Sequence, residues 1–339
     1  MIKMHVGILS NFFKTNSGNK EVEDDLFEVG TLIKKALDSS GHKATFFDVN
    51  KDTFNDLKEK KIDFTFNVCE RFENDPHKEH LVPEMLEKLK IPYTGSGSIA
   101  ISSANNKAVT KELLVKHNIS TPKFQIFKDY NDRIKDDLQF PLIVKPTLEH
   151  NSIGITQNSV VNSETELREC VKNIIKNFKQ PCLVEEFIKG RDIEIGILGN
   201  GDNLEILPLA EVGYEKFKGN KNELIFSYEG KWNTKSDVYG DYIFPKDIPE
   251  SIELKMKKIA AYLYNLAGIN DYGRIDFRLK EDNTPYVIEI TANPGLSMVC
   301  SASEAYKHMG LKYSDLINKI FNHALERYKI KKSEITSQI

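Results

Sequence analysis

The sequence predicts an α/β protein with a doubly wound parallel sheet at its N-terminus, followed by mixed α+β lobes. Three observations carry this. Strand and helix patterns alternate from His5 to Val68, an order that implies parallel strands joined by helical crossovers. A second strand–helix–strand unit of roughly 70 residues, near the lower end for a domain, runs from Ile119 to Ile188. From Asp192 onward the chain is strand-rich, with two further helical patterns.

Each element has its own warrant. His5–Leu9 is a short apolar run, read as a buried strand. No small-residue cleavage site follows it, so Met1–Phe13 reads as a first strand and not a leader. Asn11–Glu23 is polar and reads as a long loop. Leu26, Val29, Ile33, Ala36 and Leu37 fall at helical spacing, and Gly41 suits the stop. Ala44–Val49 reads as a strand, Phe54–Lys60 as a short helix and Ile62–Val68 as a third strand. Ligands of such a unit sit beyond the carboxyl ends of its strands, here Ser10–Asn11 and Asn67–Arg71, which makes Glu70 and Arg71 candidate substrate contacts. A solvated loop is the competing reading.

Leu81–Leu89 is a helix, and Ile91–Ser96 a strand ending in a turn. A helix begins near Lys107 and runs to His117. Phe124–Phe127 and Pro141–Pro146 are strands, Thr165–Ile175 a helix and Cys182–Ile188 a strand. Helices at Ile252–Leu266 and Ser314–Tyr328 complete the pattern, and Lys329–Ile339 is polar and frayed.

Bulk numbers narrow the function. A length of 339 residues suits two or three domains. Apolar residues at 40% and charged residues at 29% are ordinary for a globular chain. Net charge is −3 with both signs mixed, so no basic block points to nucleic acid. No apolar run approaches the ~20 residues of a membrane span. Cys69, Cys170, Cys182 and Cys300 lack C-x-x-C spacing, which suits a reducing cytoplasm over a disulfide or zinc framework.

The chemistry concentrates near the C-terminus. In Tyr272–Arg278, Arg274, Asp276 and Arg278 alternate with Ile275 and Phe277, and Glu289 lies between Ile288 and Ile290. Polar residues from Lys280 to Thr284 suit a hairpin turn. Pairing the strands sets Asp276 beside Glu289, with Arg274 close by. Two such carboxylates need a cation between them, or one must take a proton. Oxygen ligands of this kind suit Mg²⁺. A surface hairpin of alternating charges fits the spacing equally well.

Four further stretches are candidates. Lys145 closes an apolar strand and can act as a point charge on phosphate. Asn151, Ser152 and Gly154 follow in a loop able to wrap a phosphate, although an ordinary turn has the same composition. Lys107 alone reads as a solvated lysine. Glu185-Glu186-Phe187-Ile188 leads to Asp192. It offers an apolar slot for a purine and a carboxylate for a ribose, or simply a linker. Tyr228–Trp232, with Lys231 and Trp232, lies in a polar segment that can close over a site; an uninvolved surface loop is the favoured alternative.

The motifs Ile91–Ser96, Asn106-Lys107, Ile143–Pro146, Glu185–Asp192, Gly273–Asp276 and Asn293-Pro294-Gly295 recur in this order in the D-alanine–D-alanine ligase branch of the ATP-grasp superfamily. The chain resembles that branch over about residues 60–325. The resemblance implies an ATP-grasp fold with an N-terminal α/β domain (1–104), a small central lobe (105–190), a C-terminal lobe (191–330) and a tail (331–339). It implies ATP and Mg²⁺, or Mn²⁺, as cofactors and small carboxylate and amine substrates, amino acids foremost. It also implies a cytoplasmic enzyme, a homodimer and no membrane partner.

By position, the resemblance assigns Lys107 and Lys145 to the ATP phosphates. Glu185, Glu186, Phe187 and Ile188 fall to the adenine slot, Asp192 to the ribose, Ser152 to the phosphate-covering loop and Lys231 to the lid. Asp276 and Glu289, with Thr291 or Asn293, would hold the metal. Arg274 and the Gly295 N–H would stabilise a tetrahedral oxyanion. The implied reaction makes an acyl phosphate and ADP, then an amide and phosphate.

The sequence also departs from that pattern. No acidic residue matches the one that holds the first amine, Glu21 and Glu23 being loose candidates. The lid aromatic is Trp232 and not Tyr, Thr291 replaces Asn, and Cys300 and Ser301 fall where the acceptor carboxylate binds. The ATP half is thus expected intact and the amino-acid half rebuilt. Rival readings are a D-alanine–D-alanine ligase of cell-wall synthesis, a nucleotide-binding module without turnover and an acyl-phosphate-forming kinase.

Overall fold

The computed structural model describes residues 3–11, 20–73 and 75–329, with the backbone alone for 20–26. The expected tail lies almost wholly outside the described residues, as do the side chains of Glu21 and Glu23.

The N-terminal unit is a three-stranded parallel sheet in the order β2-β1-β3, from β1 (His5–Ser10), β2 (Lys43–Asp48) and β3 (Phe64–Asn67). Val6, Ile8 and Leu9 are fully buried, as befits a central parallel strand covered on both faces. Helix α1 (Lys20–Ser39) begins inside the segment expected to be a loop. It lays Val29, Ile33, Ala36 and Leu37 on one face of this sheet. Helices α2 (Thr53–Glu59) and α3 (Leu81–Leu89) fill a second cluster around Phe47, Phe54 and Leu86.

Ile91–Ser96 is not a strand. It touches β3 through one bridge, Thr65 to Tyr93. Pro92 lacks an N–H for a ladder, and the chain turns at once into α4 (Ser98–Ala104). That helix was not anticipated; Ala100, Ile101 and Ala104 are buried by tertiary packing that no periodicity in so short a stretch announces. Helix α5 (Lys107–Lys116) is capped by Asn106, whose side chain accepts from the N–H groups of Ala108 and Val109.

A four-stranded antiparallel sheet follows, in the order β4 (Phe124–Phe127), β7 (Cys182–Glu186), β5 (Leu142–Pro146), β6 (Val160–Val161). Helix α6 (Glu164–Phe178) covers it with Leu167, Val171 and Ile174. Ser163 accepts from the Glu166 N–H to cap this helix.

The third sheet has six strands. Its order is β11 (Asp241–Ile243), β10 (Ala210–Gly213), β8 (Gly190–Asn200), β12 (Asp271–Lys280), β13 (Pro285–Thr291), and β9 (Asn203–Ile206) also pairs with β8. Beneath it, Ile193, Ile195, Ile275, Phe277 and Ile290 form a cluster with Met256, Ala260 and Leu263 of α8 (Glu250–Leu266). Each such burial contributes about 1.5–3 kcal/mol. The expected lid is a short helix, α7 (Tyr228–Trp232), whose Gly230 N–H is accepted by the Ser227 side chain. After α9 (Ser301–His308), helix α10 (Tyr313–Arg327) returns to the first sheet. Its Leu316, Ile320 and Phe321 join the cluster of Val6, Ile8 and Phe64. Among the described residues no helix is long and apolar enough to cross a membrane.

Candidate active site

A cleft of about 650 Å³ is lined by residues of the second and third sheets and of the surrounding loops, including Glu70 in the loop after β3. Its floor is the charged face of β8, β12 and β13. Alternation along each strand puts apolar side chains below and charged ones above. The register then sets Glu194 opposite Asp276, and Asp276 opposite Glu289. The hairpin forms as the polar turn predicts, with a bulge between Asp276 and Phe277.

The charges on this floor are paired. Arg274 donates to both Asp276 oxygens, from Nε at 2.6 Å and Nη2 at 2.8 Å. Its Nη1 lies 3.3 Å from Glu194 Oε2, which also accepts from Tyr242 OH at 2.8 Å. Glu289 Oε1 accepts from Lys107 Nζ at 2.6 Å. Burial pushes the Asp276 carboxyl up to about 7, helped by Glu194 and Glu289 and opposed by Arg274. Burial also raises Glu289, but Lys107 outweighs it and holds this carboxyl at about 2.

The nucleotide-side candidates come together behind this floor. Glu185 is buried between two lysines, with Oε1 2.5 Å from Lys145 and Oε2 2.5 Å from Lys111. Its carboxylate is therefore the counter-ion of both, and the residue lines the cleft beside Glu186 and Phe187. Lys111 lies one helical turn beyond Lys107, a spacing that could have flagged it. Burial lowers the pKa of Lys111, and Glu185 opposes that shift. Glu186, Phe187, Ile188 and Asp192 all line the cleft. Asp192 pairs with Arg278 at 2.6 Å and accepts from Tyr214 OH at 3.3 Å. The Arg278 guanidinium also lies over the Phe187 ring.

Two loops close over the cleft and are tied to each other. Asn151 and Ser152 both have positive φ, a conformation Asn tolerates better than most residues. Ser152 Oγ donates to Phe226 O, and Gln157 Nε2 to Ile225 O. The Ser152 hydroxyl is thus engaged with the lid segment. Its neighbour Asn151 makes the contacts across the cleft: Nδ2 donates to Glu70 Oε2 at 3.1 Å, and Oδ1 accepts from Lys231 Nζ at 3.1 Å. Glu70 is fixed by its backbone N–H, which the Asn11 side chain accepts. Its carboxylate lies beside Gly295, and burial raises its pKa. Trp232 lines the cleft, and its covered indole N–H has no partner among the described residues.

Of the other candidates, Asn293, Thr291 and Cys300 line the cleft. Asn293 Oδ1 accepts the Ser96 N–H at 2.9 Å, so this carboxamide joins the turn after Tyr93 to the third sheet. Thr291 lines the cleft opposite Arg274. Cys300 lines it too, with Sγ 3.3 Å from Ser303 Oγ and its thiol pKa raised by burial. Ser301 is buried in the first turn of α9, and neither it nor Arg71 is among the lining residues. Missed by the sequence reading were Lys111, Glu194, Tyr242, and Glu79, a buried carboxyl pushed up to about 8. The Asp192–Ile193–Glu194 alternation was the signal for Glu194.

The floor fits a divalent cation. Asp276 and Glu289 adjoin across two strands, and both carboxylates line the cleft. Carboxylate oxygens suit Mg²⁺, which completes its shell with phosphate and water. Among the described residues no cluster of three His, Cys, Asp or Glu could hold a metal without such help.

Comparison with known proteins agrees with this geometry. Residues 111–322 match the family described as D-ala D-ala ligase C-terminus. The uncharacterized protein y4sG of Sinorhizobium fredii is 31% identical over 312 residues, 88% of each chain. The D-alanine–D-alanine ligase of Bordetella petrii is 30% identical over 311 residues, 91% of this chain and 90% of that protein. The crystal structure of D-alanine–D-alanine ligase from Bacillus anthracis complexed with ATP superposes with a TM-score of 0.74 at 22% identity, covering 96% of this chain and 99% of that one.

Proposed function

This chain belongs to the D-alanine–D-alanine ligase family, and from that premise we propose that it joins an amino acid to an amine substrate through a donor pocket rebuilt around Glu70. It is an ATP-dependent, ADP-forming carboxylate–amine ligase of the D-alanine–D-alanine ligase type. In the first step a substrate carboxylate oxygen bonds to the γ-phosphorus of ATP. The bond to the β,γ-bridging oxygen breaks, giving an acyl phosphate and ADP. In the second step an amine bonds to the acyl carbon, loses a proton and expels phosphate.

Carboxylate and triphosphate repel, so cations must surround their meeting point. Lys107, Lys145 and Lys231 are read as that surround, and Asp276 and Glu289 as the metal carboxylates. A bound Mg²⁺ or Mn²⁺ would draw charge from the transferring phosphoryl group. Arg274 and the Gly295 N–H are read as the donors to the oxyanion at the acyl carbon. Phe187 and Ile188 suit an adenine face and Asp192 a ribose, steadied by Arg278. The tied loops exclude the water that would hydrolyse an acyl phosphate.

The observation that carries the rebuilt pocket is the Glu70–Asn151–Lys231 chain beside Gly295. It joins the first sheet, the loop after β5 and the lid at one point. A half-buried carboxylate with no ion pair among the described residues suits a substrate ammonium. Trp232, which cannot accept a hydrogen bond, and the thiol of Cys300 support an amino-acid half unlike one built for two D-alanines.

The test is ADP release with ATP and Mg²⁺ against all L- and D-amino acids, singly and in pairs, with products identified by mass spectrometry. An amide from a pair other than two D-alanines is the expected result. Selective formation of D-alanyl-D-alanine would overturn the rebuilt pocket and make the chain an ordinary member of its family. Nucleotide binding without ADP release under any condition would favour a module without turnover.

A further inference from the structure

Resting on the reading of Asp276 as a metal carboxylate, we propose that Glu194 is a positioning residue that receives the Arg274 guanidinium when Asp276 turns to a divalent cation. Arg274 occupies both oxygens of Asp276, at 2.6 and 2.8 Å. A metal that takes this carboxylate competes with those bonds for its oxygens. An arginine in a half-buried cleft cannot shed its charge, so it needs another partner close at hand.

Glu194 is that partner. It stands opposite Asp276 on the adjacent strand, on the far side from Glu289, so Glu194 and the metal pair share one cross-strand row, with Arg274 two residues along β12. Its side chain is 7% exposed, and its Oε2 already lies 3.3 Å from Arg274 Nη1. That separation is longer than a good charge-assisted bond. It therefore describes a reserve contact that a small rotation of the guanidinium completes. Tyr242 OH donates to the same oxygen at 2.8 Å and fixes the carboxylate from the sheet edge.

The exchange predicts a specific non-additivity, which double-mutant cycles detect. The measurement is Mn²⁺ affinity in the presence of ADP, from free-Mn²⁺ electron paramagnetic resonance on the full chain. Glu194→Gln should weaken Mn²⁺ binding about tenfold, because Arg274 is then left on Asp276. In an Arg274→Met background the competitor is gone, and Glu194→Gln should change the affinity by less than about twofold. Tyr242→Phe, which keeps the charge but frees the carboxylate, should weaken binding in the same direction by a smaller factor. If Glu194→Gln weakens binding equally in both backgrounds, Glu194 contributes bulk charge only and the exchange is overturned. No effect in the otherwise native chain overturns it as well. Asp276→Asn separates the premise from the inference: unchanged Mn²⁺ affinity in that variant defeats the metal reading, whatever Glu194 does.

Discussion

The Lys107 ammonium lies 2.6 Å from the Glu289 carboxylate, joining the first turn of α5 to the last strand of the third sheet. The same ammonium donates to the Glu149 carbonyl at 2.8 Å. One lysine therefore fixes both a candidate metal carboxylate and the loop that follows Lys145. Glu289→Ala should abolish turnover, a loss of at least about 100-fold on the scale of removed electrostatic contacts. It should leave the fold intact, because the side chain faces the cleft. ADP release and circular dichroism check both halves; full activity would sink the metal assignment.

Lys111 is 1% exposed and shares Glu185 with Lys145. Lys111→Met leaves the buried Glu185 with one counter-ion. Breaking a buried pair in this way costs about 3–5 kcal/mol. Thermal unfolding should show a drop of several degrees, and an unchanged melting temperature would mean that Lys145 alone neutralises Glu185.

Glu79 gives a pH signature. Its pKa rises from an ordinary 4.5 to about 8, through burial first and the neighbouring Glu70, against a hydrogen bond from Asn105. A raised carboxyl pKa means that the folded chain holds a proton the unfolded chain has lost between those values. Its contribution to stability therefore declines as pH climbs from about 4.5 to 8. Glu79→Gln keeps the carbonyl acceptor and removes the titration. The variant should melt close to the native chain at pH 4.5 and a few degrees above it at pH 8. A gap that does not widen with pH would show that Glu79 is ionised in the folded state.

Glu70→Gln tests the donor pocket. With the amino-acid pair found by the product screen, the KM for the carboxylate-donating amino acid should rise at least about tenfold, the scale of one lost charged contact. The KM for ATP should stay within about twofold. Equal changes in both would place Glu70 in the general support of the cleft and not on the substrate.

Some of this site was legible in the chain and some was not, for physical reasons. Asp276 and Glu289 were legible because strand alternation and a polar turn constrain which side chains meet. Lys145 was legible because a charge closing an apolar strand is rare. Asn151 and Ser152 were both legible as loop candidates, but two adjacent polar residues carry no periodicity, so only the tertiary structure decides which one crosses to Glu70. Asn293 came from the motif resemblance, which says nothing of its bond from the Ser96 N–H, because that bond depends on the turn after Tyr93. Helix α4 and the start of α1 were missed because packing, not local propensity, extends them.

By itself the sequence determined the fold class, the parallel first unit, the charged hairpin and the order of motifs, since each rests on local periodicity or on residue type at fixed spacing. Tertiary structure alone decided the partners. It set Lys111 and Lys145 on one buried carboxylate, Arg278 on Asp192, and Glu194 within reach of Arg274. Each of those pairs joins elements distant in sequence, and a charge in a low-dielectric cleft takes whichever opposite charge the packing brings nearest.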